Sequence, residues 1–251
     1  MSLPLVLLHG WGLTPAVWQP LRQALPAALE ARTPPLPGHA GTAPADMPGI
    51  DAWAEALLAQ LPETCTLCGW SLGGLVALHL AARHPERVAR LILIGATPRF
   101  VSCAESGDHG AWAHGLEPAV AQGFVERFRH DPAPTMQRFI ALQALGDRQR
   151  RAVTTALSAS IGNPGGDRTA ALADGLQVLT SSDLRPSIAR IEQPTLLLHG
   201  SGDALMPVGA AHWLAEHLPR AQLLRLDDCG HAPFLSRTEE CATAIGRFSL
   251  G

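Results

Sequence analysis

The chain of 251 residues contains no lysine: all 19 of its basic residues are arginine. This is read as coding bias before chemistry, but it leaves no lysine amine for covalent or proton-transfer work. Charge of either sign is scarce. Only 16% of residues are charged and the net charge is −3, which argues against a general affinity for nucleic acid or for a membrane surface. No apolar run is long enough to span a bilayer. The apolar residues 1–8 lack a basic flank and a small-residue cleavage site, and they run directly into His9-Gly10-Trp11-Gly12. They are expected to form a buried strand, not a secretion signal. Cysteine is sparse and odd in number, so Cys65, Cys68, Cys103, Cys229 and Cys241 are not expected to build a disulfide framework. Cys65 and Cys68 have redox or metal spacing, but they lie in an apolar run, where cysteine serves as a small buried hydrophobe. A cytoplasmic, monomeric protein is expected. No internal repeat or low-complexity tract is present.

What the chain does have is apolar side chain, 47% of residues, with 24 Gly and 21 Pro to cut it into turns. Short apolar runs alternate with helical patterns, the signature of an α/β fold with a mostly parallel sheet flanked by helices. Strands are predicted at residues 5–9, 64–69, 88–94, 195–199 and 222–226. Helices are predicted at 20–29 (interrupted by Pro26), 51–61 with Asp51 at or near its cap, 72–83, 208–218 and 238–248. Between about 99 and 185 the strand-helix rhythm stops. That segment is helical in pattern and is broken at Asp131-Pro132-Ala133-Pro134 and Gly162-Asn163-Pro164-Gly165-Gly166. One domain over 1–251 is expected, with a core of 1–98 and 186–251 and an all-helical lid insertion at about 99–185.

Gly69-Trp70-Ser71-Leu72-Gly73 fits G-x-S-x-G between a predicted strand and a predicted helix. The chain must turn sharply there, and flanking glycines relieve the clashes around a strained serine. The alternative is that Ser71 merely caps the helix. A cap needs neither glycine on both sides nor an apolar strand directly before it, so Ser71 is taken as the nucleophile. An acyl-transfer site also needs donors for an oxyanion. The amide of Leu72, after the nucleophile, is one candidate. The amide of Trp11, in the glycine turn after the first strand, is the other, with its ring expected to wall the acyl pocket.

In this chain order the acid and then the histidine follow the serine. His231, in the loop Asp227-Asp228-Cys229-Gly230-His231-Ala232-Pro233-Phe234, is the expected base. Asp203, in the glycine-rich turn after strand 195–199, is the expected acid, placed to hold the imidazole tautomer. Asp227 and Asp228 rank second as acids, and Asp183 lies early for the order. His199 is read as lining its loop, His212 and His217 as helix-surface residues, and His9, His39, His79 and His84 as outside the base role.

At these residues the chain resembles a named group. The stretches Leu5-Val6-Leu7-Leu8-His9-Gly10-Trp11-Gly12, Gly69-Trp70-Ser71-Leu72-Gly73-Gly74, His84-Pro85-Glu86-Arg87-Val88, Arg138-Phe139-Ile140-Ala141-Leu142-Gln143 and His231-Ala232-Pro233-Phe234 are similar to those of the pimeloyl-[acyl-carrier protein] methyl ester esterases of biotin synthesis, an α/β-hydrolase family. The resemblance implies Ser71, Asp203 and His231 as the triad. It implies substrate contacts at Trp11, Leu72, Phe139, Ile140, Ala141, Leu142, Gln143 and His231. It also implies hydrolysis of a carrier-bound methyl ester, with no metal and no organic cofactor.

An acyl carrier protein is acidic, which gives a physical test. Residues 121–170 hold seven arginines against four acids, a net +3 that leaves −6 for the rest. Arg127, Arg138, Arg148, Arg150 and Arg151 are therefore candidate docking residues; the alternative is a solvated helical face. Two other readings stand beside this one. The first is a broad carboxylesterase or another hydrolase on the same scaffold. The second is a non-catalytic receptor of this fold that binds a small ligand.

Overall fold

The apolar runs form the sheet because both of its faces are covered. In this computed structural model, residues 3–104, 110–162 and 168–251 are described, Arg168 by backbone only. Strand β1 (Leu5–Leu8) leads through a short 3-10 turn to helix α1 (Gln19–Ala24) and then to β2 (Ala31–Arg32). Next come α2 (Ile50–Leu58), β3 (Cys65–Trp70), α3 (Leu72–Arg83) and β4 (Val88–Ile94). Four helices follow: α4 (Pro118–His130), α5 (Pro132–Gln143), α6 (Arg150–Ala159) and α7 (Arg168–Ser181). The chain returns to the sheet with β5 (Thr195–Gly200), α8 (Val208–His217) and β6 (Ala221–Leu226), and closes with α9 (Pro233–Ser236) and α10 (Thr238–Leu250). The strand order is β2-β1-β3-β4-β5-β6, and every pairing is parallel.

Alternation along each strand divides the core in two. Val6, Leu8, Leu67, Leu91 and Leu93 face one layer, with Trp53 of α2, Leu75 of α3 and Leu214 of α8. Leu5, Leu7, Ile92, Ile94 and Leu198 face the other, with Leu21 of α1 and Ile245 of α10. Cys65 and Cys68 fall on opposite faces, one in each layer, and burial raises both thiol pKa values, that of Cys65 to about 11. They are packing residues. The helical segment belongs to both layers: Phe128 and Phe139 join the first, and Ile140, Val153 and Leu157 the second.

The differences from expectation are local. Helix α1 stops at Ala24 because Leu25, which precedes Pro26, is driven to an extended backbone. Helix α2 is shorter than expected, Ile50–Leu58, with Asp51 near its cap as expected. The two-residue β2 carries too little pattern to be read from sequence. The break at 162–166 lies mostly outside the described residues.

Candidate active site

Strand β3 ends at Trp70, and α3 begins at Leu72. Ser71 must make the whole turn alone, at φ 56° and ψ −121°. A non-glycine residue held in such a region costs on the order of 1–3 kcal/mol. The turn persists because its neighbours lock it. Its amide donates to the Ile94 carbonyl at 3.1 Å, and its carbonyl accepts from Gly74 and Leu75 at 2.9 and 3.1 Å. A Cβ on Gly69 would overlap the Gly73 carbonyl, and one on Gly73 would overlap that of Leu8, so the elbow closes only with glycine at both places. Ser71 precedes the helix, yet its hydroxyl makes no capping hydrogen bond. The capping alternative therefore fails, and the hydroxyl of a residue only 3% exposed is left for other use.

Asp203 follows β5, where the sequence places it. Its Oδ1 accepts the amides of Leu205 and Met206, both at 2.9 Å, and its Oδ2 accepts His231 Nδ1 at 2.7 Å. Burial alone would raise this carboxyl's pKa. The imidazole and the Met206 amide outweigh burial, and the net direction is down. With Nδ1 donating, His231 presents the lone pair of Nε2. That atom is buried and has no hydrogen-bond partner among the described residues. The Trp70 indole donates to the His231 carbonyl at 2.8 Å, so the residue before the elbow also holds the backbone of the base. Of the rival acids, Asp227 pairs with Arg225 at 3.0 Å at the surface, and Asp228 is exposed. Asp183 lies between Arg99 and Arg185 at 2.6 and 2.7 Å; burial works against its charge, but the arginines bring its pKa to about 2.

Two histidines outside the base role brace the glycine turn after β1. His9 donates from Nδ1 to the Gly10 carbonyl at 2.8 Å and accepts the Leu36 amide at Nε2, 3.1 Å. His39 accepts the Gly12 amide at Nε2, 3.0 Å, and donates from Nδ1 to the Pro37 carbonyl, 2.9 Å. Burial is the main cause that lowers their pKa values, to about 3 and about 4. Both are neutral at pH 7, and together they pin residues 9–12. Among the described residues, neither the Trp11 nor the Leu72 amide donates a hydrogen bond. A Cβ on Gly10 would stand 3.3 Å from that of Ser71, so the turn lies against the elbow.

The Trp11 ring does not wall a pocket directly. It is fully buried among Phe124, Phe128 and Phe139, at 5.0–5.7 Å between ring centroids, and its Nε1 donates to the Leu172 carbonyl at 2.7 Å. Phe128 and Leu172 in turn line a mainly apolar cavity of about 140 Å³, bounded also by Gly12, Met136 and Ile161. The ring thus stands one layer behind that wall. The run from Phe139 to Gln143 divides by helix face. Phe139, Ile140 and Gln143 are buried, Ala141 is half-buried, and Leu142 is 41% exposed. Gln143 Nε2 is a buried donor without a partner among the described residues.

Sequence reasoning passed over several participants. His199 donates from Nε2 to the Met206 carbonyl at 2.7 Å and sits 3.6 Å from Asp203 Oδ2; burial lowers its pKa. His39 and Asp147 also went unassigned. Only a histidine inside the rigid run 34–39 hinted at the first. Arg127, Arg138, Arg148, Arg150 and Arg151 are all exposed, and none forms an ion pair among the described residues. No group of three or more His, Cys, Asp or Glu suited to a metal ion occurs among the described residues, and no helix there is long and apolar enough to cross a membrane.

Comparison with known proteins bears on the fold and the family. The family model for the alpha/beta hydrolase fold matches residues 4–238. An esterase from Exiguobacterium antarcticum superposes with a TM-score of 0.82 over 100% of this chain and 94% of its own, at 21% identity, a likeness of fold alone. A pimeloyl-[acyl-carrier protein] methyl ester esterase of Aromatoleum aromaticum is 56% identical over 241 residues, 96% of each chain. One of Nitrosomonas europaea is 39% identical over 94% of this chain and 91% of its own. The parallel sheet, the serine elbow and these relatives place the chain in the α/β-hydrolase family and, within it, among the pimeloyl-[acyl-carrier protein] methyl ester esterases.

Proposed function

We propose that the chain is a serine carboxylesterase that cleaves the methyl ester of pimeloyl-[acyl-carrier protein], releasing methanol and a free carboxylate for biotin synthesis. One observation carries the chemistry. A buried Asp203–His231 bond of 2.7 Å leaves His231 Nε2 unpartnered, at the sheet edge where Ser71 keeps its hydroxyl uncommitted. His231 takes the Ser71 proton as Oγ attacks the ester carbonyl. The Trp11 and Leu72 amides receive the oxyanion. Protonated His231 then hands its proton to the departing methoxide, and water activated by the same nitrogen releases the acid. Asp203 holds the imidazole tautomer throughout. No step calls for a metal or an organic cofactor.

The substrate class follows from the relatives' names and from the helical segment, which we read as a lid over the site. The apolar cavity suits a methylene chain. The exposed arginines suit an acidic carrier protein, and the only Asp or Glu among the described residues of the 141–162 stretch, Asp147, is buried and engaged internally. All five cysteines are free, which fits a protein working in the reducing cytoplasm.

The test compares the carrier-bound methyl ester with a short nitrophenyl ester, for the native chain and for Ser71→Ala. The native chain should show the higher kcat/KM on the carrier ester and should label with a fluorophosphonate. Ser71→Ala should lose both hydrolysis and labelling while keeping its circular dichroism. Turnover retained by Ser71→Ala would remove the nucleophile assignment. Equal preference for both esters would favour a broad esterase, and a native chain that neither labels nor hydrolyses would favour a receptor.

A further inference from the structure

The helical segment grips the base through a single turn. Residues 144–149 link α5 to α6, and Asp147 within them is buried. Its Oδ2 accepts the Gly230 amide at 3.0 Å and the Ser236 hydroxyl at 2.7 Å. Its Oδ1 accepts the Gln149 amide at 2.7 Å and closes the turn on itself. Three more bonds join residues 143–149 to residues 228–236. The His231 amide donates to the Gln143 carbonyl at 3.0 Å, the Arg148 amide to the Asp228 carbonyl at 2.9 Å, and Gln149 Nε2 to the Ser236 carbonyl at 2.7 Å. Gly146 and Gly202 meet back to back, so that a Cβ on Gly146 would overlap the Gly202 carbonyl. The loop that carries His231 is therefore held from outside the sheet as well as from Trp70 within it.

We propose that Asp147 is a positioning residue for His231: by fixing Gly230 and Ser236, on either side of the base, its carboxylate sets where the imidazole stands relative to Ser71. This rests on His231 being the base. The physical case is that Gly230 adds backbone freedom to the loop, and that the loop's own side-chain anchors, the His231 ring on Asp203 and the Cys229 sulfur on Ser236, leave the Gly230 amide unheld. Without Asp147, the buried Gly230 amide loses its acceptor and the Ser236 hydroxyl keeps only the Cys229 sulfur at 3.7 Å, and the loop can move to find water. A displacement near 1 Å at a reacting group costs about 100-fold in rate. A partial shift should therefore cost about 10- to 100-fold in kcat, with KM nearly unchanged because Asp147 borders no part of the apolar cavity.

The experiment measures kcat and KM on the short nitrophenyl ester, circular dichroism, and the low-field proton resonance of the His231 Nδ1–H. The variants are Asp147→Ala, Asp147→Asn, Ser236→Ala and His231→Gln. Asp147→Ala should lose about 10- to 100-fold in kcat at near-native KM, with the low-field resonance shifted or broadened. Asp147→Asn keeps one oxygen for Gly230 and Ser236, so it should recover most of the rate and the native resonance. Ser236→Ala removes one of the two flanking bonds and should lose kcat less than Asp147→Ala, at unchanged KM. Native kcat in Asp147→Ala overturns the proposal. So does an Asp147→Asn variant as poor as Asp147→Ala, or, should Asp147→Ala not fold, native kcat in Ser236→Ala. Activity retained by His231→Gln would instead overturn the base assignment and is read separately.

Discussion

The sheet edge and the helical segment handle charge in opposite ways. At the sheet edge, polar groups are buried and paired: Asp203 with His231, His9 with Leu36, His39 with Gly12. On helices α4 to α6 the arginines are exposed and without ion pairs among the described residues. The difference separates two jobs. Buried, satisfied groups hold atoms in fixed geometry, because moving them would strand a donor or an acceptor. Exposed like charges hold no geometry, but they raise a field that reaches out to a partner and is screened by salt. Asp147 is the exception, since it belongs to the helical region by sequence and to the sheet edge by its bonds.

The comparison breaks most visibly at the buried acid. Asp203→Asn should keep the fold and lower kcat by about 10³- to 10⁴-fold, because the amide favours the wrong imidazole tautomer. A loss under tenfold would mean that the pair does not direct the base. The next effect is on stability. His9 and His39 have pKa values near 3 and 4 in the folded chain, against 6.5 when exposed. Their folded values are depressed, so the unfolded chain binds protons that the folded one refuses. Stability should be full above pH 6.5 and fall as pH drops from 6.5 toward 4. Each such histidine contributes about a factor of ten per pH unit to the unfolding constant. His39→Gln keeps an acceptor for Gly12 and should flatten that slope by about one proton in urea titrations between pH 7 and 4.5. An unchanged slope would show that His39 is not held neutral. The smallest effect belongs to the exposed region. Reversing Arg148, Arg150 and Arg151 to Glu should raise KM for the carrier ester about tenfold at low salt, less at high salt, and spare the small ester. Equal loss on both esters would remove the docking role.

Much of this was legible in the sequence because its signals are local. A strand buried on both faces reads as an apolar run, and Ser71, Asp203 and His231 each follow a strand within a few residues. What was not legible depends on distance along the chain. Asp147 meets Gly230 across 83 residues, and His39 meets Gly12 across 27; neither carries a mark of its partner. The stretch 139–143 was read as one block of contacts, yet helical rotation turns Leu142 outward while Phe139, Ile140 and Gln143 face in. The Trp11 ring was aimed at the pocket because nothing near it in sequence announces Phe124, Phe128 and Phe139.

The contact between Gly146 and Gly202 also bears on how this scaffold can be re-engineered. Helical segments of this kind are attractive cassettes to exchange between relatives when a new ester range is wanted. Here the seam of such a graft would run through two backbones that touch with no side chain between them. A donor segment with any larger residue at position 146 would push against the acid's own turn, and the hybrid could fold well and still hydrolyse poorly. Grafts should therefore be joined outside the turn between α5 and α6, with residues 143–149 kept from the recipient and diversity confined to the helices before and after them.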